Sequence, residues 1–140
     1  MVIVMNRANA KKFSYQQHDE KIAVISITDP EAPYNNFSRN TQNGIIAVLP
    51  MKFADVNRGD KDCITMAQAN KIASFVKRYI EQVDTFLVHC EAGQSRSAGC
   101  AAAILKWSTG SDSLIYDNPR YTPNSTVYSY VLEALFCEEE

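Results

Sequence analysis

The sequence predicts an α/β fold: a single domain over residues 1–140 with a mostly parallel central sheet flanked by helices. Short β-branched apolar runs alternate with segments of helical periodicity along the chain, the order that a layered sheet with crossover helices requires. The apolar runs are continuous rather than alternating with polar residues, as strands covered on both faces are. A chain of 140 residues, 46% of them apolar, suffices for one buried core and is short for two.

The elements follow in order. Residues 1–5 and 22–27 are short, apolar and β-branched, and read as strands, with residues 7–14 between them as a short helix. Asp29, Pro30, Glu31, Ala32, Pro33, Tyr34, Asn35 and Asn36 are dense in turn formers and read as loop. Residues 44–49 form a third strand, which Pro50 is expected to end. From Thr65 the period becomes helical, with Ala69, Ile72, Ala73, Val76, Ile80 and Val83 on one face and a capping box from Thr65 and Gln68. A fourth strand over Thr85–His89 leads to an Ala-rich helix over residues 98–107, apolar enough to be buried on most sides. Residues 108–113 read as loop, and Val127, Val131, Leu132 and Leu135 mark a closing helix.

A formal charge of −2 without a dense Lys/Arg stripe gives no electrostatic footprint for nucleic acid and no polybasic patch for a membrane surface. The apolar start is too short for a signal sequence or a membrane span, so an intracellular, soluble, cytoplasmic protein is expected. The cysteines at 63, 90, 100 and 137 form no C-x-x-C pair and are expected to be thiols rather than a disulfide scaffold or a zinc module. His18, in a polar stretch, is expected to face solvent, and the acidic residues 138–140 read as a solvated tail.

Cys90 falls where an open parallel sheet places its ligands, at the carboxyl end of a strand and just before a helix. Successive backbone N–H groups of Glu91, Ala92, Gly93, Gln94, Ser95 and Arg96, turned inward at a helix N-terminus, make a cradle for a tetrahedral oxyanion. Gly93 supplies the backbone freedom and close approach such a loop needs. The planar guanidinium of Arg96 can take two phosphate oxygens in a fork that Lys does not reproduce. A helix N-terminus and a nearby cation favour a thiolate, which makes Cys90 the candidate nucleophile. Ser97 is expected to hydrogen-bond the sulfur, and His89 to support the loop from behind.

The run His-Cys-x-x-Gly-x-x-Arg-Ser resembles the phosphate loop of the cysteine-based protein tyrosine and dual-specificity phosphatases, above all their short single-domain members. The likeness is strong over residues 86–99, continuous but weaker over residues 45–136, and poor over the first forty residues. It implies a phosphotyrosine-phosphatase-like fold and hydrolysis of phosphate monoesters through a cysteinyl-phosphate, with no metal and no cofactor. The expected partner is a phosphorylated protein or a small phosphate monoester. In that family an upstream Asp protonates the leaving oxygen and later activates water. Asp55, in Lys52-Phe53-Ala54-Asp55, is the best match, ahead of Asp60 and Asp62. The segment ending Thr122-Pro123-Asn124 is similar to the family's Pro-Asn element, which makes Asn124 a brace for the phosphate loop. Arg120 and Tyr121 are candidates for the rim, though a turn residue and an exposed charge explain them equally well.

Other readings compete. A buried Cys at a strand end is usually a small core hydrophobe; the His, Gly, Arg and Ser at their offsets set Cys90 apart, whereas Cys63, Cys100 and Cys137 keep the packing reading over a redox role. Gly93-Gln94-Ser95-Arg96-Ser97 falls short of a serine-hydrolase elbow at its fifth position, and no His follows it. A rhodanese-like sulfurtransferase shares an anion-cradling cysteine loop, but Arg96 with Ser97 favours phosphate. A phosphate-binding recognition module with little turnover is the rival from another class. Glu91 and Gln94 add no positive charge to the loop, which favours phosphotyrosine or another monoester of modest charge over phosphoinositides.

Overall fold

The computed structural model describes residues 1–34 and 43–137; Asn35 and Asn36 of the expected loop and the acidic residues 138–140 lie outside the described residues. The apolar runs become the strands β1 (Val2–Met5), β2 (Ile22–Thr28), β3 (Ile45–Lys52) and β4 (Thr85–His89). They pair in the order β1-β4-β2-β3, every pair parallel. The helices are α1 (Arg7–Tyr15), α2 (Met66–Tyr79), α3 (Arg96–Thr109), the single turn α4 (Ser113–Tyr116) and α5 (Ser125–Phe136).

Every residue of β2 and β4 is buried, because the sheet is covered on both sides. Ala23, Ile25 and Ile27 of β2 and Phe86 and Val88 of β4 join Ile72 and Val76 of α2, the alanines of α3 and Val127, Val131 and Leu135 of α5 in the main core. The opposite pleat, Ile22, Val24, Ile45 and Leu87, packs with Ile3, Met5 and Phe13, so α1 covers that face. The capping box of α2 forms as its sequence predicts, with Gln68 N–H donating to Thr65 Oγ1 and Thr65 N–H donating to Gln68 Oε1. Gly110 ends α3 in the left-handed region at φ 86°.

Four expectations are corrected. Pro50 does not end β3: the strand runs on to Lys52, because β3 has a sheet neighbour on one side only among the described residues and an edge strand tolerates a missing N–H. Of the expected loop over residues 108–113, Ser108 and Thr109 belong to α3 and Ser113 opens the helical turn α4, with Tyr116 and Asp117 N–H bonded back to the Asp112 and Ser113 carbonyls. The Ala-rich helix starts at Arg96, two residues before its apolar run, since the loop after β4 feeds directly into it. His18 is half-buried rather than exposed: its ring stacks on Phe13 at 3.8 Å and its Nε2 lies 2.9 Å from the Phe13 carbonyl.

All four strands point the same way, so their carboxyl ends lie along one edge of the sheet. Residues 6–7, 29, 53 and 90 each follow directly on one of these ends.

Candidate active site

Cys90 leaves β4 buried, 2% exposed, and its sulfur is addressed from two sides. Gly93 N–H donates to Sγ at 3.3 Å, and Ser97 Oγ lies 3.1 Å from it. In the contact with Ser97 either atom can be the donor. The loop can fold back over its own cysteine because Gly93 sits at φ 68°, and a Cβ there would come within 2.6 Å of Asn6 N and 2.7 Å of Met5 C. The N–H groups of Ala92, Gln94 and Ser95 have no hydrogen-bond partner among the described residues, which leaves them for a ligand at the loop.

Arg96 is the first residue of α3 and is 5% exposed. Its NH1 donates to the Phe53 carbonyl at 2.8 Å and pairs with Asp29 Oδ1 at 2.8 Å. Its Nε is buried with no partner among the described residues. A buried guanidinium N–H left unmatched costs free energy, so the arrangement fits a donor kept for an anion.

His89 is fully buried, with Nε2 2.6 Å from Ser26 Oγ on β2 and Nδ1 3.4 Å from the Cys90 carbonyl. A carbonyl only accepts, so Nδ1 carries the proton and Nε2 accepts from the Ser26 hydroxyl. Burial, ahead of every other influence, lowers the His89 pKa to about 4 and keeps the ring neutral. Cys100 sits in the core on α3, and burial pushes its thiol up to about 12, with nearby Cys90 adding to the rise. It packs and does not ionise. Cys63 is half-buried, its Sγ donating to the Ile64 carbonyl, and Cys137 is exposed.

Asp55 follows β3 and is exposed. Ser95 Oγ donates to its Oδ1 at 2.7 Å, and Asn124 Nδ2 donates to the same oxygen at 2.9 Å. The structure therefore brings Asp55, Ser95 and Asn124 together. Asp60 and Asp62 join the same loop through backbone bonds, Asp60 N–H to the Asn57 carbonyl and Ala54 N–H to the Asp62 carbonyl. Asn124 also caps α5, its Oδ1 accepting from Thr126 and Val127 N–H. The segment before it is fastened to the loop between β4 and α3, Thr122 N–H to Gln94 O at 2.8 Å and Asn124 N–H to Ser95 O at 3.0 Å. Tyr121 is half-buried and Arg120 exposed beside that attachment.

Sequence reasoning missed Ser26, Asp29 and Arg7. Arg7 NH1 pairs with Glu91 Oε1 at 2.8 Å, and its NH2 donates to the Pro33 carbonyl at 2.6 Å, tying α1 and the segment after β2 to the loop between β4 and α3. The rule that singles out Cys90, a polar residue at the carboxyl end of a parallel strand, also singles out Asp29, which directly follows β2.

No protein-family model matches the sequence, and no curated protein matches it. Solved structures do. Human DUSP28 superposes with a TM-score of 0.58 at 16% identity, over 96% of this chain and 90% of that one. PTPMT1 in complex with PI(5)P gives 0.56 at 18%, over 96% and 89%. The human tyrosine phosphatase-like serine/threonine/tyrosine-interacting protein gives 0.57 at 19%, over 81% and 75%. The chain thus has the fold of the dual-specificity and protein tyrosine phosphatases, a small α/β domain with a parallel sheet flanked by helices.

Proposed function

We propose that the protein is a cysteine-dependent phosphatase that hydrolyses phosphate monoesters, with phosphotyrosine or dual-specificity protein substrates preferred. The observation that carries this reading is the pairing of a doubly hydrogen-bonded Cys90 sulfur with a buried, unmatched Arg96 Nε on one loop. In the first step Cys90 Sγ attacks phosphorus, the ester P–O bond breaks, and the leaving oxygen takes a proton from Asp55. Among the described residues both hydrogen bonds to Asp55 end on Oδ1, which leaves Oδ2 to carry that proton. In the second step water attacks phosphorus, Asp55 takes its proton, and the P–S bond breaks to release phosphate. Ser97 Oγ stabilises the departing sulfur at its 3.1 Å contact. Arg96 and the N–H groups of residues 91–95 meet the charge on the equatorial oxygens, the role that metal ions play in other phosphoryl-transfer sites.

Glu91 favours a monoester of modest charge. Its carboxylate stands on the phosphate loop and is engaged by Arg7 at 2.8 Å, so this ion pair adds no net positive charge for a polyanionic headgroup. PI(5)P is the ligand of one structural neighbour and serves as the contrasting substrate. A second reading, recognition of phosphorylated partners with little turnover, draws on the interacting protein among the structural neighbours.

The test is hydrolysis of a chromogenic aryl phosphate, phosphotyrosine peptides and PI(5)P with EDTA present. Wild type turns over the aryl phosphate and the peptides in preference to PI(5)P, and vanadate inhibits it. Cys90→Ser and Arg96→Ala abolish turnover, and Asp55→Asn lowers it by about 10²-fold or more, the scale of general acid catalysis. Clean, reduced wild-type protein that binds phosphopeptides and hydrolyses none of these would overturn the enzyme reading in favour of recognition. Thiosulfate turnover without phosphatase activity would point to a sulfurtransferase.

A further inference from the structure

We propose that Arg7, the first residue of α1, is a positioning residue for the loop between β4 and α3: it ties the Glu91 carbonyl outward and so turns the Ala92 N–H inward. This rests on the phosphatase reading for its consequence in turnover, and on the hydrogen bonds themselves for its consequence in anion binding. The contact follows from register. β1 lies parallel to β4 with Met5 opposite His89, so the chain leaving β1 runs beside the chain leaving β4 and brings Arg7 to Glu91. Arg7 holds that residue twice: its backbone N–H donates to the Glu91 carbonyl at 3.1 Å, and NH1 donates to Glu91 Oε1 at 2.8 Å. NH2 donates to the Pro33 carbonyl at 2.6 Å, so the guanidinium is itself held from a third segment. The first N–H groups of a helix have no partner within it. In α1, Asn6 Oδ1 takes that of Asn9, and the Glu91 carbonyl takes that of Arg7.

A trans peptide points its C=O and N–H in opposite directions, and no peptide bond among the described residues is cis. Fixing the Glu91 carbonyl towards α1 therefore aims the Ala92 N–H away from α1. The Ala92 N–H has no partner among the described residues, and the next one along, that of Gly93, donates to Cys90 Sγ at 3.3 Å. The same device recurs in the other half of the loop. There Thr122 N–H holds the Gln94 carbonyl, and the Ser95 N–H that follows has no partner among the described residues. The Arg7–Glu91 pair is 23% and 35% exposed, so as an ion pair it adds little to stability. Its effect is on direction: without it the Glu91–Ala92 peptide can rotate, and one donor of the cradle turns away from the anion.

The experiment measures orthovanadate affinity by calorimetry, and kcat and KM for an aryl phosphate, in wild type, Arg7→Ala, Arg7→Pro, Glu91→Ala and the double variant Arg7→Ala/Glu91→Ala. Arg7→Ala removes the guanidinium and keeps the N–H, whereas Arg7→Pro removes both at the same charge. Proline suits the first position of a helix, and Asn6 before it is extended at φ −77° and ψ 169°, so α1 is kept. The expected result is that Arg7→Pro weakens vanadate and lowers kcat by about 10²-fold, the scale of one lost oxyanion donor, and Arg7→Ala by about 10-fold. KM moves less than kcat, as for a group that acts mainly in the transition state. Glu91→Ala also weakens vanadate, although loss of a negative charge alone would tighten it, and the double variant is no weaker than the weaker single one. Equal vanadate affinity and kcat in Arg7→Ala and Arg7→Pro, or a Glu91→Ala that tightens vanadate with additive effects in the double variant, overturn the assignment while the phosphatase reading stands. If Arg7→Pro does not fold, the cycle of alanine variants decides alone, with the same two outcomes. Wild type that binds vanadate without turnover, with binding weakened in the order Arg7→Ala then Arg7→Pro, keeps Arg7 and removes the phosphatase reading; wild type that does neither removes both.

Discussion

His89 shows how a single side chain links the stability of this fold to the loop that follows β4. It is buried on β4 directly before Cys90, neutral, and bridged between Ser26 and the Cys90 carbonyl. Its pKa lies near 4 in the folded protein against 6.5 for a free imidazole, because burial disfavours the charged ring. The folded value is depressed, so the stability this residue contributes is fully present above pH 6.5 and is lost as pH falls from there towards 4. The loss amounts to about 3 kcal/mol at most by linkage. Denaturant titrations at several pH values are expected to show a steeper decline over that window in wild type than in His89→Gln, which has no proton to gain; parallel curves would contradict a neutral buried His89. The loop after β4 stood out in the sequence because His89, Cys90, Gly93, Arg96 and Ser97 fall at the offsets of a known motif. Ser26 and Arg7 did not: a serine in an apolar strand and an arginine in a short surface helix look ordinary until the sheet order places them against His89 and Glu91.

At the scale of elements, the junction of α3 and α5 joins packing to chemistry. Gly99 lets the two helices approach so closely that a Cβ on it would lie 2.6 Å from the Asn124 carbonyl oxygen. Asn124 caps α5 with its oxygen and holds Asp55 with its nitrogen. These roles separate by substitution. Asn124→Ser keeps a good cap and loses the amide donor, whereas Asn124→Ala loses both. Asn124→Ala is expected to cost about 1 kcal/mol in denaturant titration and Asn124→Ser only a small part of that. Both are expected to lower kcat on an aryl phosphate, and full activity in Asn124→Ser would show that the Asp55 contact is dispensable. Helices and strands were readable from period and cap signals, down to the Thr65–Gln68 box. Pro50 misled because the sequence does not say which strand is an edge, and α4 is too short to show a period.

The whole molecule is arranged so that four parallel strands deliver their carboxyl ends to one place. β1 hands on to Asn6 and Arg7 against the loop between β4 and α3, β2 to Asp29, β3 to Phe53 and Asp55, and β4 to Cys90. Two charged anchors, Arg7 on Glu91 and Asp29 on Arg96, cross from those ends to the loop. The sequence made the fold class visible, but the contacts between strand ends depend on the order β1-β4-β2-β3, which no local pattern encodes. The central claim is that Cys90 itself takes up the phosphoryl group. The most direct measurement is mass analysis of protein quenched in acid during turnover of an aryl phosphate, with Asp55→Asn included to slow hydrolysis of the intermediate. A single phosphoryl group on the peptide containing Cys90, absent from Cys90→Ser, is the predicted result; turnover that leaves no phosphoprotein and survives in Cys90→Ser would contradict it.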